Sequence, residues 1–238
     1  PEHPHKASAL LVFADVESCC RAVPLLKQQP VAAVELLDRR SLRSVENMPG
    51  MPDWVRELSV GACALLIESR APSGLLLTEQ IARIMASVAH FELEKQVDFS
   101  TDPVIYNQLW KIRKETFPAV GAIRATGTTV IIEDVTFPVE MLAEGVNRLI
   151  QLFEKHGYAE AIIFGHALEG NLHFVFTQGF DSDTEKTRYA AFMQDVAQLV
   201  AVEFGGALKG EHGTGRNMAP FVELEWGSDA YQLMLTIK

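Results

Sequence analysis

Two histidines near the middle of the second half have the clearest chemical capacity. His166 and His173 lie in the segment 165–173, Gly-His-Ala-Leu-Glu-Gly-Asn-Leu-His. In one straight strand a spacing of seven would place them on opposite faces. The pair Glu169-Gly170, however, is typical of a two-residue hairpin turn, which would set His166 opposite His173 with Cβ atoms roughly 4.5–5.5 Å apart. Two neutral imidazoles at that separation can bind one metal ion, although a histidine pair on a sheet surface fits this pattern equally well.

A second segment, 210–215, reads Gly-Glu-His-Gly-Thr-Gly and supplies a carboxylate and another imidazole. Its glycines allow the backbone to approach a ligand closely. Taken alone, the segment is explained more simply as a solvated surface turn. Taken together, the two segments predict a metal site with His166, His173 and Glu211 as ligands, and with His212 left free as a base.

The elements that must position these residues follow from hydrophobic patterning and from helix-capping residues. In the first half, the pattern predicts strands over 9–14, 31–37, 63–68 and 95–99. It predicts helices over 16–28 and 76–90, a short helical piece over 38–44, and a helix from Asp102-Pro103 to about Thr116. The residues 117–127 contain Pro118 and two glycines and are predicted to form a loop and an internal boundary.

In the second half, the pattern predicts strands over 128–135, 159–165, 172–177 and 207–209. A helix is predicted from Pro138 to Gly157, and another, capped by Asp183, to Phe204. The order β-α-β-β-α-β is that of the ferredoxin-like unit, and the first half can be described in the same way. We therefore predict an α+β fold of two ferredoxin-like halves, about 1–117 and 127–238, whose mostly antiparallel sheet is covered by helices.

Composition narrows the functional class. The 238 residues carry a formal net charge of −10 and no dense Lys/Arg stripe, which argues against nucleic acid as a partner. Three cysteines, two of them adjacent, do not form a disulfide framework and favour a reducing compartment. No secretion signal or membrane-length apolar segment is visible, so we expect a cytoplasmic protein.

At these motifs the sequence resembles a known family. Gly-His-(x)3-Gly-Asn-Leu-His, followed about forty residues later by Gly-Glu-His-Gly-x-Gly, is similar to the C-terminal domain of FAD-linked oxidases. These are enzymes of the D-lactate, glycolate and D-2-hydroxyglutarate dehydrogenase type, related to vanillyl-alcohol oxidase. The resemblance extends to the segments 109–113, Leu-Trp-Lys-Ile-Arg, and 133–139, Glu-Asp-Val-Thr-Phe-Pro-Val, and so covers nearly the whole chain.

The resemblance implies a role for each candidate residue. It implies a divalent metal, commonly zinc, on His166, His173 and Glu211, and a substrate hydroxyl proton accepted by His212. It implies that Arg113 binds a substrate carboxylate and that Asn171 supplies an active-site amide, although Arg113 by itself is explained more simply as a solvated helix charge. Hydride would pass from C2 of a small 2-hydroxy acid to N5 of FAD, which is held mainly by a separate FAD-binding domain.

The chain also departs from the family pattern. Glu169 replaces the usual Asp of the turn, and Ile132 stands where some 2-hydroxyglutarate enzymes carry Lys, which weakens the case for that substrate. The FAD-binding domain and the usual C-terminal tail are absent, so we expect a piece of a longer protein, inactive alone. That protein could include iron–sulfur modules or another electron acceptor and could lie peripherally at the inner membrane. The alternative is a ferredoxin-like binding or interaction module without catalysis.

Overall fold

The computed structural model describes residues 3–238 and is organised around one seven-stranded sheet. Pro1 and Glu2, at the start of the predicted first half, lie outside the described residues. The strands follow one another across the sheet in the order β4-β1-β3-β2-β6-β7-β5, and every paired neighbour is antiparallel. They are β1 (His5–Phe13), β2 (Ala33–Asp38), β3 (Cys63–Ala71), β4 (Leu93–Ser100), β5 (Thr128–Thr136), β6 (Ile162–His166) and β7 (Asn171–Gly179). The predicted α+β class and mostly antiparallel sheet are confirmed.

The junction between the predicted halves is the pairing of β2 with β6. Its register sets Glu35 opposite His166 and Leu37 opposite Phe164. Residues directly opposite each other in an antiparallel pair point to the same face, so a carboxylate of the first half lies beside a histidine of the second. The sheet is therefore continuous where a boundary between units would fall.

One face of the sheet is covered by four helices whose apolar sides form the larger core. These are α1 (Val16–Lys27), α4 (Gly74–Val88), α6 (Leu142–Lys155) and α7 (Asp183–Ala197). Asp15 caps α1 by accepting from the backbone N–H of Ser18, which satisfies one of the free donors at the helix start. Phe13, Phe153 and Phe174 are fully buried between these helices and the sheet. This face is dry and carries none of the predicted site residues.

The opposite face carries α2 (Arg39–Val45), the short α3 (Trp54–Glu57) and α5 (Pro103–Ile123) over the first half of the sheet. Leu109 and Ile112 of α5 are buried against this face together with Leu66 and Phe164. Arg113, the next residue of α5, is thereby placed at the edge of the apolar layer, beside Phe164 of β6. The candidate site lies at that edge.

Four predicted elements differ from the structure. The predicted loop over 117–127 is wrong for most of its length, because α5 continues through Pro118 to Ile123. A proline removes one helical hydrogen bond, but Ala119 and Val120 beyond it are buried in the core, and that burial favours continuation of the helix. The predicted strand over 207–209 is only an isolated bridge between Thr136 and Ala207.

The helix predicted from Asp183 to Phe204 also differs from the structure at both ends. Ser182, rather than Asp183, caps α7, through a capping box with Glu185. The α-helix ends at Ala197, and the rest of the predicted helix is a π-helical turn over Gln198–Glu203. Pro138 begins a 3-10 turn, Val139–Met141, before α6.

The chain beyond the second motif forms three further helices, α8 (Gly215–Met218), α9 (Val222–Trp226) and α10 (Ser228–Ile237). Of these, only Met218 contributes a buried side chain. None of the helices described between residues 3 and 238 is both long enough and apolar enough to cross a bilayer.

Candidate metal and active site

The three predicted metal ligands converge on one point of the sheet surface. Oε1 of Glu211 lies 3.3 Å from Nε2 of His166 and 3.1 Å from Nε2 of His173. The two imidazole rings are nearly perpendicular, with centroids 5.6 Å apart. One oxygen and two ring nitrogens thus face each other at a spacing that a single ion can bridge, and their role as ligands stays a prediction.

The hairpin that brings the histidines together differs from the predicted one. The connection is a four-residue 3-10 turn closed by Gly170, whose φ of 65° is left-handed, rather than a two-residue turn. His173 is therefore opposite Phe164, and His166 is opposite Asn171, so the predicted pairing of His166 with His173 is wrong. The error amounts to two positions in register. Because side chains alternate with a period of two, both histidines remain on the same face.

Gly170 is required by the contacts of this turn. A Cβ there would lie 2.0 Å from the backbone oxygen of Phe137, and the left-handed φ would strain any other residue. The backbone oxygen of Gly170 accepts from the N–H of Phe137, which ties the hairpin to the end of β5. The turn is thereby held against the strand that carries Asp134.

Asp134, which the sequence interpretation did not select, fixes the loop that carries Glu211 and His212. It is fully buried, opposite His173 in the β5–β7 pair. Its Oδ2 accepts from the backbone N–H groups of Gly210 at 2.8 Å, Glu211 at 2.6 Å and His212 at 3.4 Å. A carboxylate that binds successive backbone N–H groups fixes the path of the loop. An acidic pair, Glu133-Asp134, at the end of a β-branched apolar strand was the sequence signal available.

His212 lies beside the ligands and could act as a base. Its ring stacks on His173, with centroids 4.7 Å apart and planes within 15°. Nδ1 of His212 is 3.7 Å from Oδ1 of Asp134, and Nε2 is 3.6 Å from Oε1 of Glu211. The side chain is 38% exposed, so a substrate could reach the ring from solvent.

Arg113 joins the site through a carboxylate that the sequence interpretation also missed. Nε of Arg113 donates to Oε2 of Glu35 at 2.7 Å, and the guanidinium lies 4.4 Å from the centroid of the Phe164 ring. Oε1 of Glu35 accepts from Nδ1 of His166 at 2.5 Å. A single glutamate in the otherwise apolar strand Val34–Leu37 was the signal that could have identified it.

Asn171 is buried, and its amide nitrogen makes contacts within the protein. Nδ2 donates to Oδ2 of Asp134 at 3.4 Å, the backbone oxygen of Val135 at 3.3 Å and Oγ1 of Thr136 at 3.4 Å. A Cβ at position 210 would lie 2.0 Å from Nδ2, so any residue other than glycine there would displace the Asn171 side chain. Asn171 thus supports the same loop as Asp134, and its predicted contact with substrate remains a prediction.

Burial and hydrogen bonding shift the pKa values of the two predicted ligand histidines in opposite directions. The pKa of His173 is lowered to about 4, mainly by burial and next by the neighbouring His212. His173 is therefore neutral and able to donate a lone pair near neutral pH. The hydrogen bond to Glu35 raises the pKa of His166, and the nearby Glu211 carboxylate adds to that effect.

The two supporting carboxylates are held in their charged form. Burial opposes ionisation of Glu35, but the hydrogen bond from His166 and the charge of Arg113 together lower its pKa. Burial likewise opposes ionisation of Asp134, but the Glu211 backbone N–H and the Lys209 charge outweigh it and lower the pKa.

The charge and donor set of this region fit a divalent cation. The charged groups linked to the site are four carboxylates and two cations: Glu35, Glu133, Asp134 and Glu211, and Arg113 and Lys209. With neutral histidines, two negative charges therefore remain uncompensated. Nδ1 of His173 and Oδ1 of Asp134 are buried without a hydrogen-bond partner in the described part of the chain. A cation held by His166, His173 and Glu211 would reduce the uncompensated charge. It would not partner Nδ1 of His173, because Nε2 is the ring nitrogen that faces Glu211.

A second possible ligand set consists of Asp134, His173 and His212. Asp134 already accepts three backbone N–H groups and lies 3.4 Å from Nζ of Lys209, which would repel a cation. The set of His166, His173 and Glu211 has no lysine or arginine nitrogen within ion-pair distance of Glu211 among the described residues. The second set is therefore the weaker one.

A cavity of about 770 Å³ lies elsewhere, at the other end of β5 and β7. It is lined by the end of α5 and by Thr128, Thr177 and Arg188, and it includes none of the predicted site residues. The residues predicted from the sequence to carry the chemistry thus lie outside this cavity.

Comparison with known proteins identifies the family of the chain. The family described as FAD linked oxidases, C-terminal domain, matches residues 2–238. The mitochondrial D-lactate dehydrogenase [cytochrome] of Arabidopsis thaliana is 30% identical over 87% of this chain and 35% of its own length. Glycolate oxidase subunit GlcD of Bacillus subtilis is 23% identical over 100% of this chain and 49% of its own length. The chain thus spans about a third to a half of these relatives.

Solved structures share the fold at low sequence identity. The 4-ethylphenol oxidase of Gulosibacter chungangensis superposes with a TM-score of 0.65 at 14% identity, over 100% of this chain and 51% of the other. An alkyldihydroxyacetonephosphate synthase superposes with a TM-score of 0.57 at 11% identity, over 87% and 40%. These likenesses concern the fold alone.

Proposed function

Because this chain belongs to the FAD-linked oxidase C-terminal domain family, we propose that it binds the substrate and a metal in an FAD-dependent 2-hydroxyacid dehydrogenase. The substrate would be of the D-lactate, glycolate or D-2-hydroxyglutarate type. The observation that carries the proposal is the juxtaposition, on one sheet face, of a three-group ligand set, a free imidazole and an arginine. Family membership implies an FAD-binding domain as the partner within a longer protein.

His166, His173 and Glu211 are the residues that would hold a divalent metal. Two imidazoles and one carboxylate are a common ligand set of catalytic zinc, which keeps one position open for substrate. A divalent cation there would stabilise the negative charge that develops on the substrate hydroxyl. Asp134 would hold Glu211 in place through the backbone of residues 210–212.

Arg113 would bind the carboxylate of the 2-hydroxy acid. Its Nε is engaged by Glu35, and its two terminal nitrogens have no hydrogen bond within the described residues. Those nitrogens can bind a carboxylate in the bidentate geometry that a guanidinium favours. Stacking on Phe164 restricts the plane in which they lie.

His212 would accept the hydroxyl proton. Oxidation of a 2-hydroxy acid to a 2-keto acid removes that proton and a hydride from C2. The flavin of the adjoining domain, when bound, supplies the hydride acceptor at N5. Nε2 of His212 faces the same Glu211 oxygen as the Nε2 atoms of His166 and His173. It would therefore lie near a hydroxyl group bound to the metal, from which it could accept the proton.

Several finer statements remain proposals from the sequence. The strand order β4-β1-β3-β2, with α1 and α4 as the connecting helices, supports a ferredoxin-like first half. The second half has three strands and one bridge in the corresponding places, which supports the same interpretation less directly. The division into halves at about 1–117 and 127–238, the cytoplasmic location, the peripheral membrane association and an iron–sulfur or other electron acceptor also remain predictions.

The test is turnover by the longer protein that contains this chain. We expect reduction of its flavin by at least one of D-lactate, glycolate and D-2-hydroxyglutarate. Arg113→Lys should lower kcat/KM by about 10- to 100-fold, mainly through KM, because an ammonium cannot bind a carboxylate through two parallel hydrogen bonds. Lys111→Ala, two residues away with Nζ on the Pro49 backbone oxygen, is the matched control and should leave kcat/KM unchanged. If the longer protein oxidises none of the three acids, the result would favour the alternative, a binding or interaction module without catalysis.

A further inference from the structure

Glu35 links the two halves of the sheet at the candidate site. It lies on β2, directly opposite His166 of β6, and is 4% exposed. A carboxylate buried in an apolar strand costs free energy unless its oxygens are satisfied. Each of its two oxygens has one partner, and both partners are residues of the proposed site.

The first oxygen determines which nitrogen of His166 carries the proton. Oε1 accepts from Nδ1 of His166 at 2.5 Å. A carboxylate can only accept, so the proton lies on Nδ1 and the lone pair of the neutral ring lies on Nε2. Nε2 is the atom that faces Oε1 of Glu211 at 3.3 Å. Glu35 thus presents the free nitrogen of His166 to the ligand set.

The second oxygen determines where Arg113 lies. Oε2 accepts from Nε of Arg113 at 2.7 Å, an atom that cannot contribute to an end-on bidentate bond with a substrate. The contact and the Phe164 ring together fix the guanidinium while its terminal nitrogens remain available. One carboxylate therefore orients a proposed metal ligand and a proposed substrate-binding residue.

We propose that Glu35 is a positioning residue that orients His166 for metal binding and Arg113 for carboxylate binding. The inference rests on the proposed function, because it assigns the partners of Glu35 the roles given above. A carboxylate hydrogen-bonded to the far nitrogen of a metal-bound histidine is a recurrent means of fixing the ring and raising its basicity.

Glu35→Gln tests this with almost no change of shape. The Gln oxygen can accept from Arg113 while its NH₂ group can only donate, so Nδ1 of His166 must become the acceptor. The ring proton then moves to Nε2, where it blocks metal binding. Glu68→Gln is the matched control, since Glu68 is 5% exposed in β3, on the same sheet face, and pairs with Lys6 and Arg70 instead.

The first readout is the ¹⁵N spectrum of this chain labelled at histidine, metal-free at pH 8, with the His166 signals assigned by their loss in His166→Gln. We expect the Nδ1–H form in the wild type and in Glu68→Gln, and the Nε2–H form in Glu35→Gln. A role in stability alone would leave the tautomer unchanged. The same tautomer in the wild type and in Glu35→Gln would overturn the proposal.

The second readout is calorimetric titration of the same chains with Zn²⁺. We expect Glu35→Gln to bind zinc about 10- to 100-fold more weakly than the wild type and Glu68→Gln to bind it equally well. If Glu35→Gln binds zinc with an affinity within twofold of the wild type, the role of Glu35 is overturned, but the proposed metal site is not contradicted. No zinc binding by the wild type would instead contradict the proposed function.

Glu35→Asp keeps the proposal testable if the Gln variant does not fold. A carboxylate one carbon shorter retains the charge but cannot reach both partners equally well. We expect the Nδ1–H tautomer to persist, with zinc affinity between that of the wild type and one tenth of it. An Asp variant that shows the Nε2–H tautomer would overturn the assignment of Glu35.

Discussion

Two clusters on the same sheet face each contain a glutamate buried in an apolar strand, yet only one resembles a reaction site. The first is the histidine cluster, His166, His173, Glu211 and His212, to which Glu35 belongs through its bond to His166. The second is the Glu68 cluster, Lys6, Ser8, Glu68 and Arg70 on β1 and β3. Glu35 and Glu68 are buried to the same extent.

The two clusters differ in whether their charged groups are paired. Glu68 is paired with two cations, Lys6 at 3.3 Å and Arg70 at 2.6 Å, and accepts from the hydroxyl of Ser8. The histidine cluster and its ion-pair partners have surplus negative charge, and His173 has a buried nitrogen without a partner in the described residues. A buried strand carboxylate is therefore a weak sign of function by itself. Uncompensated charge beside a set of converging histidine nitrogens is a stronger one.

The largest effect is expected where the proposed chemistry takes place. In the longer protein, His212→Gln should lower kcat by about 10²- to 10⁴-fold, because a general base is lost while neither ligand histidine changes. Stopped-flow flavin reduction measures the rate, and zinc content measured on the same sample should equal that of the wild type. Glu68→Gln should leave the rate unchanged. A rate for His212→Gln within threefold of the wild type would remove His212 from the chemistry.

The next effect concerns Asp134, which sets the path of the Glu211 loop. Asp134→Asn removes the negative charge of the carboxylate whose Oδ2 accepts from three backbone N–H groups, and an amide oxygen accepts such bonds more weakly. We expect zinc affinity of this chain to fall about 10- to 100-fold, as is typical when a residue supporting a metal ligand is changed. Calorimetry with Zn²⁺ gives the value. Unchanged affinity would mean that the loop keeps its path without Asp134.

A smaller effect, on stability only, is expected in the Glu68 cluster. Glu68→Gln should lower the free energy of unfolding by about 1–3 kcal/mol, because two cations lose a charged partner. Urea denaturation in the presence of a chelator measures it. Zinc affinity should not change; if it falls as in Glu35→Gln, the two clusters are not functionally distinct.

The smallest effect is expected at an ion pair on the helical face. The hydrogen bonds from Lys155 and His156 lower the pKa of Asp195. A carboxyl group whose pKa is lower in the folded state contributes stability above its unfolded pKa, about 3.9, and that contribution is lost as the pH falls through the folded value. Since Asp195 is 34% exposed, Asp195→Asn should cost less than about 1 kcal/mol at pH 7, a difference that shrinks as the pH falls below the unfolded pKa. Urea denaturation from pH 7 to 2.5 measures this difference; a larger cost at pH 3 than at pH 7 would reverse the assigned sign.

The predicted ligands could be found from the sequence because two short segments, 165–173 and 210–215, together supply the residue types that bind a metal. His166, His173 and Glu211 were selected by type and by the glycines around them, and an error of two positions in register left their face unchanged. The strands and caps were predictable for similar reasons: Asp15 and Asp38 cap helices where short-range rules place them.

The supporting residues could not be found because they depend on long-range pairing. Glu35 meets His166 only because β2 pairs with β6, across 131 positions of sequence. Asp134 meets residues 210–212 across more than seventy positions. Local rules also failed at Pro118, where burial beyond the proline extends α5, and at Ala207, where a bridge replaces the predicted strand.

The most direct test of the metal site is zinc titration of this chain beside His173→Ala. His173 is 3% exposed, neutral near pH 7 and common to both possible ligand sets. We predict one Zn²⁺ per wild-type chain and at least a 100-fold loss of affinity in a His173→Ala chain with an unchanged circular dichroism spectrum. Absence of zinc binding in the wild type, or equal affinity in the two chains, would contradict the account.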